Sequence, residues 1–164
     1  MANFFNKNSK ISNLASIDIS NKGTDTIVGA FSIVDDFVKI KHVGGSGNIV
    51  IGSYVYINSG TVLYSGNGIT IGDNVLIGPN CSITPTNHEF GNRNKPIREQ
   101  GFKQSKGGII IEDDVWIGAN VVILDGAIIR HGAVIGANSL VNSEIEEYSI
   151  NYGTPCRKIG YRKE

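Results

Sequence analysis

Three side chains in this sequence suit proton transfer near neutral pH: His42, His88 and His131. Their settings differ. His88 opens the run Thr86-Asn87-His88-Glu89-Phe90, at the head of a stretch that carries Arg93, Lys95, Arg98, Lys103 and Lys106 against only Glu89 and Glu99. An imidazole at the root of a cationic arm suits general-base removal of a proton from a substrate, with Asn87, Lys95 and Arg98 as candidate substrate contacts. The surplus of positive charge fits an acidic glycan or a phosphate-bearing acceptor; a loop kept soluble by its charges is the bland alternative. His131 stands two residues after Ile129 and before a glycine, where an exposed corner is expected, and His42 lies in a less regular stretch. Glu89 adjoins His88, but a carboxylate next to a histidine in sequence usually points elsewhere. One histidine in each of three separate places does not supply the clustered imidazoles of a zinc hydratase, so no metal is expected.

The elements that must position His88 follow from a repeat. Steps of six from Ile111 give Ile117, Ile123, Ile129, Ile135 and Val141, all aliphatic. At 40% apolar composition such a run has a chance probability of about 0.004. The step recurs as Ile71, Ile77, Ile83 and as Ile51, Ile57, Leu63, Ile69, with a slip of two residues near Ser65-Gly66-Asn67-Gly68. A second column, Val55, Thr61, Val75, Cys81, Val115, Val121, Ala127, Ala133 and Ser139, is small or β-branched and falls on the same strand face by the period of two. Between the columns stand Gly60, Gly66, Asn74, Asn80, Asp114, Asn120, Gly126, Gly132 and Asn138, residue types that tolerate positive φ. A short strand and a tight corner every six residues close on three sides, giving coils of ~18 residues that stack as parallel strands. Helices are excluded, because Gly or Asn at every sixth position would cost up to ~1 kcal/mol each.

Ile71-Gly72-Asp73-Asn74-Val75-Leu76-Ile77-Gly78-Pro79-Asn80 and Ile111-Glu112-Asp113-Asp114-Val115-Trp116-Ile117-Gly118-Ala119-Asn120 resemble the hexapeptide-repeat acyltransferases over roughly residues 48–160. The resemblance implies an all-β fold, a left-handed parallel β-helix; handedness is not legible in the spacing itself. Within that family the context of His88 is similar to the sugar O-acetyltransferase branch, the maltose and galactoside acetyltransferases and the enzymes that modify capsule or lipopolysaccharide. That implies direct acetyl transfer from acetyl-CoA, used as co-substrate, with His88 as base and Asn58 holding the acceptor or the developing oxyanion. Relatives are trimers with acetyl-CoA between neighbouring helices, which implies a homotrimer here and donor contacts at Trp116, Ala119 and Ala137. Tyr56, Leu76, Trp116 and Val134, with Val62, Val122 and Leu140, are expected to form the outward apolar columns of that groove. The ending Gly153-Thr154-Pro155-Cys156-Arg157 resembles the family's C-terminal motif and implies Arg157 near the CoA phosphates. An N-acetyltransferase of a nucleotide-linked amino sugar shares fold and donor and is the main rival; a non-enzymatic scaffold gives no reason for the arm.

One domain accommodates all 164 residues: irregular first coils over 1–45, regular coils over 46–85 and 109–150, a protruding loop over 86–108 and a C-terminal tail over 151–164. A net charge of +0 disfavours nucleic acid as a partner, and no run approaches a membrane span. Two distant cysteines and the absence of a signal-like N-terminus read as a cytoplasmic protein.

Overall fold

The computed structural model describes residues 3–163; positions 1, 2 and 164, at the ends of the 1–45 and 151–164 stretches, lie outside it. Apart from one helical turn at Ile97–Gln100, the described elements are short strands in three sheets. The first sheet stacks Phe4–Phe5, Thr26–Val28, Ile49–Ile51, Ile69–Ile71, Ile109–Ile111, Ile128–Ile129 and Glu144–Ile145. The second stacks Lys10–Ile11, Ile33–Val34, Tyr56–Ile57, Leu76–Ile77, Trp116–Ile117, Val134–Ile135, Ser149–Tyr152 and Arg157–Tyr161. The third stacks Ser16–Ile17, Lys39–Lys41, Val62–Tyr64, Ser82–Thr84, Val122–Leu124 and Leu140–Val141. Neighbours pair in parallel except the last two strands of the second sheet, which are antiparallel. This is the left-handed parallel β-helix. No helix among the described residues is long and apolar enough to cross a membrane.

Burial follows the two columns. Ile117, Ile123, Ile129, Ile135 and Val141 are 0% exposed, and the second column from Val55 to Ser139 is buried throughout. Each fully buried Ile contributes about 1.5–3 kcal/mol of transfer free energy, so the axis of the coil is the core. All nine expected corner residues have positive φ, from 42° at Gly66 to 83° at Gly126. Phe31, Phe37, Tyr54 and Tyr148 occupy the same corner position with φ between 54° and 60°, although a β-carbon there costs about 1–2 kcal/mol. Stacked corners also touch: a Cβ on Gly118 would lie 2.6 Å from the Ala137 nitrogen one coil away.

Register shows where coils differ. Lys10 pairs with Ile33, Ile33 with Tyr56, Tyr56 with Leu76, Leu76 with Trp116, Trp116 with Val134 and Val134 with Ile150, so successive coils take 23, 23, 20, 40, 18 and 16 residues. The expected ~18 therefore describes one coil, and the longer ones carry their extra residues at the corner between the third and first sheets. In the 1–45 stretch the strands pair in register from Phe4, and insertions before Thr26 and Ile49 shift the six-residue frame. In the C-terminal stretch, Arg157–Tyr161 turns back on Ser149–Tyr152 and closes the second sheet.

Candidate active site

The arm leaves the third sheet after Ser82–Thr84 and returns at Ile109–Ile111. Two side chains from other coils hold its ends. The Asn67 amide nitrogen donates to the Pro85 carbonyl at 2.9 Å and to Asp125 Oδ2 at 3.3 Å. Asp125, 3% exposed, also accepts from the Lys106 nitrogen at 2.8 Å and the Gly108 nitrogen at 3.0 Å. Entry and exit are thus clasped together, and the arm folds back on itself: Glu89 N donates to Gly101 O at 3.0 Å and Lys103 N to Asn87 O at 2.8 Å.

His88 sits in that fold-back, opposite Phe102, whose ring stacks on the imidazole with centroids 4.9 Å apart. Its Nδ1 lies 3.3 Å from the Gly101 carbonyl. A carbonyl oxygen only accepts, so in the neutral ring this contact sets the proton on Nδ1 and the free lone pair on Nε2, the tautomer a general base requires. The carboxylate of Glu89 does not orient the ring. Its Oε1 accepts from the Gly91 and Phe90 nitrogens at 2.9 Å each, and those backbone bonds hold its pKa below the ordinary glutamate value.

The exposed imidazole borders two hollows. One, of about 460 Å³, is lined by Lys41, Tyr64, Thr84, Thr86 and Phe102; the other, of about 370 Å³, by Asn87, Lys103, Lys106, Leu124, Asp125 and Asn142. Of the expected acceptor contacts, Asn87 shares the second hollow with His88, whereas Lys95 lines a neighbouring depression with Asn94 and Ile97 that meets that hollow at Phe90 and does not include His88. Arg98 sits in the exposed helical turn and lines neither hollow. Lys103 and Lys106 take the place expected for Lys95 and Arg98, because the fold-back returns the end of the arm to its root; Lys103 Nζ is 5.3 Å from the Phe90 ring centre. Tyr64 and Thr84 were not singled out in the sequence. Each follows a buried residue, Leu63 or Ile83, by one position, so alternation alone turns it outward on the sheet from which the arm leaves.

Asn58 lies at the corner between the second and third sheets, where its Nδ2 donates to the Ile77 carbonyl at 2.8 Å. Neither hollow beside His88 includes it. Tyr56, Leu76, Trp116 and Val134 are direct partners in one outward column, with Trp116 52% exposed, whereas in the other Ser82 stands between Val62 and Val122. Ala119 and Ala137 top neighbouring corners, where the Asn138 nitrogen donates to the Ala119 carbonyl at 2.9 Å. Arg157 is exposed, its guanidinium on the Cys156 carbonyl at 3.0 Å. The other two histidines are engaged apart from the arm. His131 packs edge-on to Tyr148, and buried His42 has hydroxyls on both ring nitrogens, Thr24 at 2.8 Å and Thr26 at 3.0 Å.

The model of the bacterial transferase hexapeptide (six repeats) matches residues 108–143, and that of the hexapeptide repeat of succinyl-transferase matches 68–87. A galactoside O-acetyltransferase from Lactococcus lactis is 35% identical over 118 residues, 70% of this chain and 55% of that enzyme, so this chain spans about half the length of that curated relative. Among solved structures, a variant of AntD, an N-acyltransferase from Bacillus cereus in complex with dTDP-4-amino-4,6-dideoxyglucose and coenzyme A, superposes with a TM-score of 0.81 at 30% identity, covering 99% of this chain and 84% of that one. A hexapeptide-repeat acetyltransferase from Vibrio cholerae complexed with acetyl-CoA gives 0.70 at 36% identity, covering 84% and 71%. The repeat, the three-sided coil it builds and these likenesses agree: the chain belongs to the hexapeptide-repeat transferase family.

Proposed function

We propose that the protein is an acetyl-CoA-dependent acetyltransferase that acetylates a sugar hydroxyl, of a surface polysaccharide or its precursor, with His88 as general base. The Nδ1 contact to Gly101 carries the reading, because in the neutral ring it turns the lone pair to Nε2, on an exposed imidazole that borders two hollows. The acceptor hydroxyl gives its proton to Nε2 while its oxygen bonds to the thioester carbonyl carbon. Collapse of the tetrahedral intermediate breaks the carbon–sulfur bond, and the imidazolium returns the proton to the departing CoA thiolate. No acyl-enzyme forms.

Trp116, Ala119 and Ala137, on the second sheet and its corner, form the donor groove in this reading, with Arg157 toward the CoA phosphates. The groove is completed by a second subunit of a homotrimer, which covers the outward columns. Asn58 then acts across that boundary through the amide hydrogen and Oδ1 that the Ile77 contact leaves free. The two buried, free cysteines fit a cytoplasmic reaction.

Likeness over 99% of the chain to an N-acyltransferase crystallised with a nucleotide-linked amino sugar favours a second reading, transfer to an amine. A neutral amine needs little help from a base, so His88 separates the two. The test is acetyl transfer by the wild type and His88→Ala to methyl β-galactopyranoside and to dTDP-4-amino-4,6-dideoxyglucose. The O-acetyl reading expects the glycoside to be used and the variant to lose ~10²-fold or more in turnover, with acetyl-CoA affinity unchanged. Turnover of the amino sugar alone, undiminished in the variant, refutes it in favour of the second reading. Light scattering that gives a monomer mass at micromolar concentration refutes the shared donor site.

A further inference from the structure

We propose that the hollow over Lys41, Tyr64 and Thr84 is the acceptor subsite, in which a pyranose ring packs on Tyr64 beneath Phe102 with its reacting hydroxyl toward His88. This rests on the acetyltransferase reading and adds binding residues to it. His88 follows Ser82–Thr84 and divides the outer face of the third sheet. Lys41, Tyr64 and Thr84 belong to the earlier coils; Leu124 and Asn142, beyond it, belong to the later coils that also carry Trp116, Ala119 and Ala137. Two reactants that meet at one imidazole must approach it from two sides. With the donor along the later coils, the acceptor takes the earlier side.

The walls of this hollow suit a sugar. A pyranose presents apolar C–H faces, which pack on aromatic rings, and a rim of hydroxyls, which need polar neighbours. Tyr64 supplies one ring from the sheet, and Phe102, 54% exposed, supplies another from the arm. The polar neighbours are Thr84, Thr86 and Lys41, and Lys41 forms no salt bridge among the described residues. Thr86 Oγ1 is itself buried, so Thr84 and Lys41 are the side chains that offer polar groups to the hollow. Gly44 lets the floor pack on Thr86, since a Cβ there would stand 2.5 Å from Thr86 Cγ2. The lone ammonium of Lys41, with no carboxylate lining the hollow, favours an acceptor that carries a carboxylate on the ring.

Saturation-transfer NMR with methyl β-galactopyranoside, methyl β-glucopyranoside and methyl β-glucopyranosiduronate tests this on the full chain. Expected is binding by the wild type, tightest for the uronate, weakened ~10-fold or more in Tyr64→Ala and retained in Tyr64→Phe, which keeps the ring. Phe102→Ala, on the exposed arm, gives a second weakened variant that leaves the coil intact. Acetyl-CoA affinity stays unchanged in both alanine variants. The proposal is overturned if the wild type binds none of the three, if both alanine variants bind as well as the wild type, or if they weaken acetyl-CoA instead. His88→Ala keeps the two ideas apart: undiminished transfer refutes the base and leaves the subsite standing, whereas lost transfer with unaltered glycoside binding in both Tyr64→Ala and Phe102→Ala refutes the subsite alone.

Discussion

Replacing Asp125 with alanine tests whether the clasp beneath the arm holds His88 in place. The carboxylate accepts hydrogen bonds from Lys106 N, Gly108 N and Asn67 Nδ2 at 2.8, 3.0 and 3.3 Å. Gly108 is buried, so its nitrogen loses its only named partner out of reach of water, at about 1–3 kcal/mol. The Lys106 nitrogen lies on the exposed arm and turns to water, losing about 1 kcal/mol. Asn67 keeps its bond to Pro85 O, so its loss is small. The sum is ~2–4 kcal/mol, which for a chain of this size lowers Tm by about 5–15 °C. Scanning calorimetry reads the stability, and acetyl transfer reads the site: kcat falls with the arm's misplacement while KM for acetyl-CoA holds. Asp125→Asn keeps one acceptor oxygen but turns an N–H toward the other donor, so it falls between the two. A Tm within ~2 °C of the wild type together with unchanged kcat refutes the clasp.

Three further outcomes are expected. Phe37→Asn stabilises the protein by ~0.5–1 kcal/mol, measured by urea unfolding, because Phe37 is 66% exposed at φ 60° and asparagine tolerates that conformation better; a loss of stability would mean that the ring is packed. Gly118→Ala destabilises by ~1–3 kcal/mol in the same assay, since its Cβ would press on the Ala137 backbone. Burial lowers the pKa of His42 below 6.5, with Asp18 and Asp25 opposing in part and the hydroxyls of Thr24 and Thr26 on its nitrogens. The unfolded chain therefore binds this proton more readily, so the contribution is present above pH 6.5 and lost as pH falls below it. The Tm difference between pH 7.5 and 5.5 should shrink in His42→Gln, and an equal difference in both proteins would remove His42 from the account.

The two inward columns and the nine corners were legible because each rests on one local rule, period-two alternation or tolerance of positive φ, that needs no distant partner. The aromatic corners at Phe31, Phe37, Tyr54 and Tyr148 were not, since side-chain type alone argues against φ near 60° there. The arm was visible as a break in the frame, but its interior was not. Which lysines stand beside His88 depends on the fold-back that sets Phe102 against His88, and no residue spacing in 86–108 encodes that pairing. Asn67 and Asp125 are 58 residues apart and meet only because the coils stack.

The first two corners of each coil leave no room to vary. Strands there follow one another at six residues, and the backbones of stacked corners approach so closely that Gly118 cannot carry a Cβ without meeting the next coil. An insertion at such a corner would shift every later side chain off the core face. The corner between the third and first sheets already differs from coil to coil, so the column resumes after it whatever its length. It is the one edge of the helix on which a functional segment can grow without disturbing the core. The slip at 65–68 and the arm at 86–108 are two lengths of the same feature, and Asn67 on the shorter one grips Pro85 at the entrance of the longer. In a sequence of this kind, the place where the six-residue frame breaks most is therefore where the base should be sought, and His88 stands there.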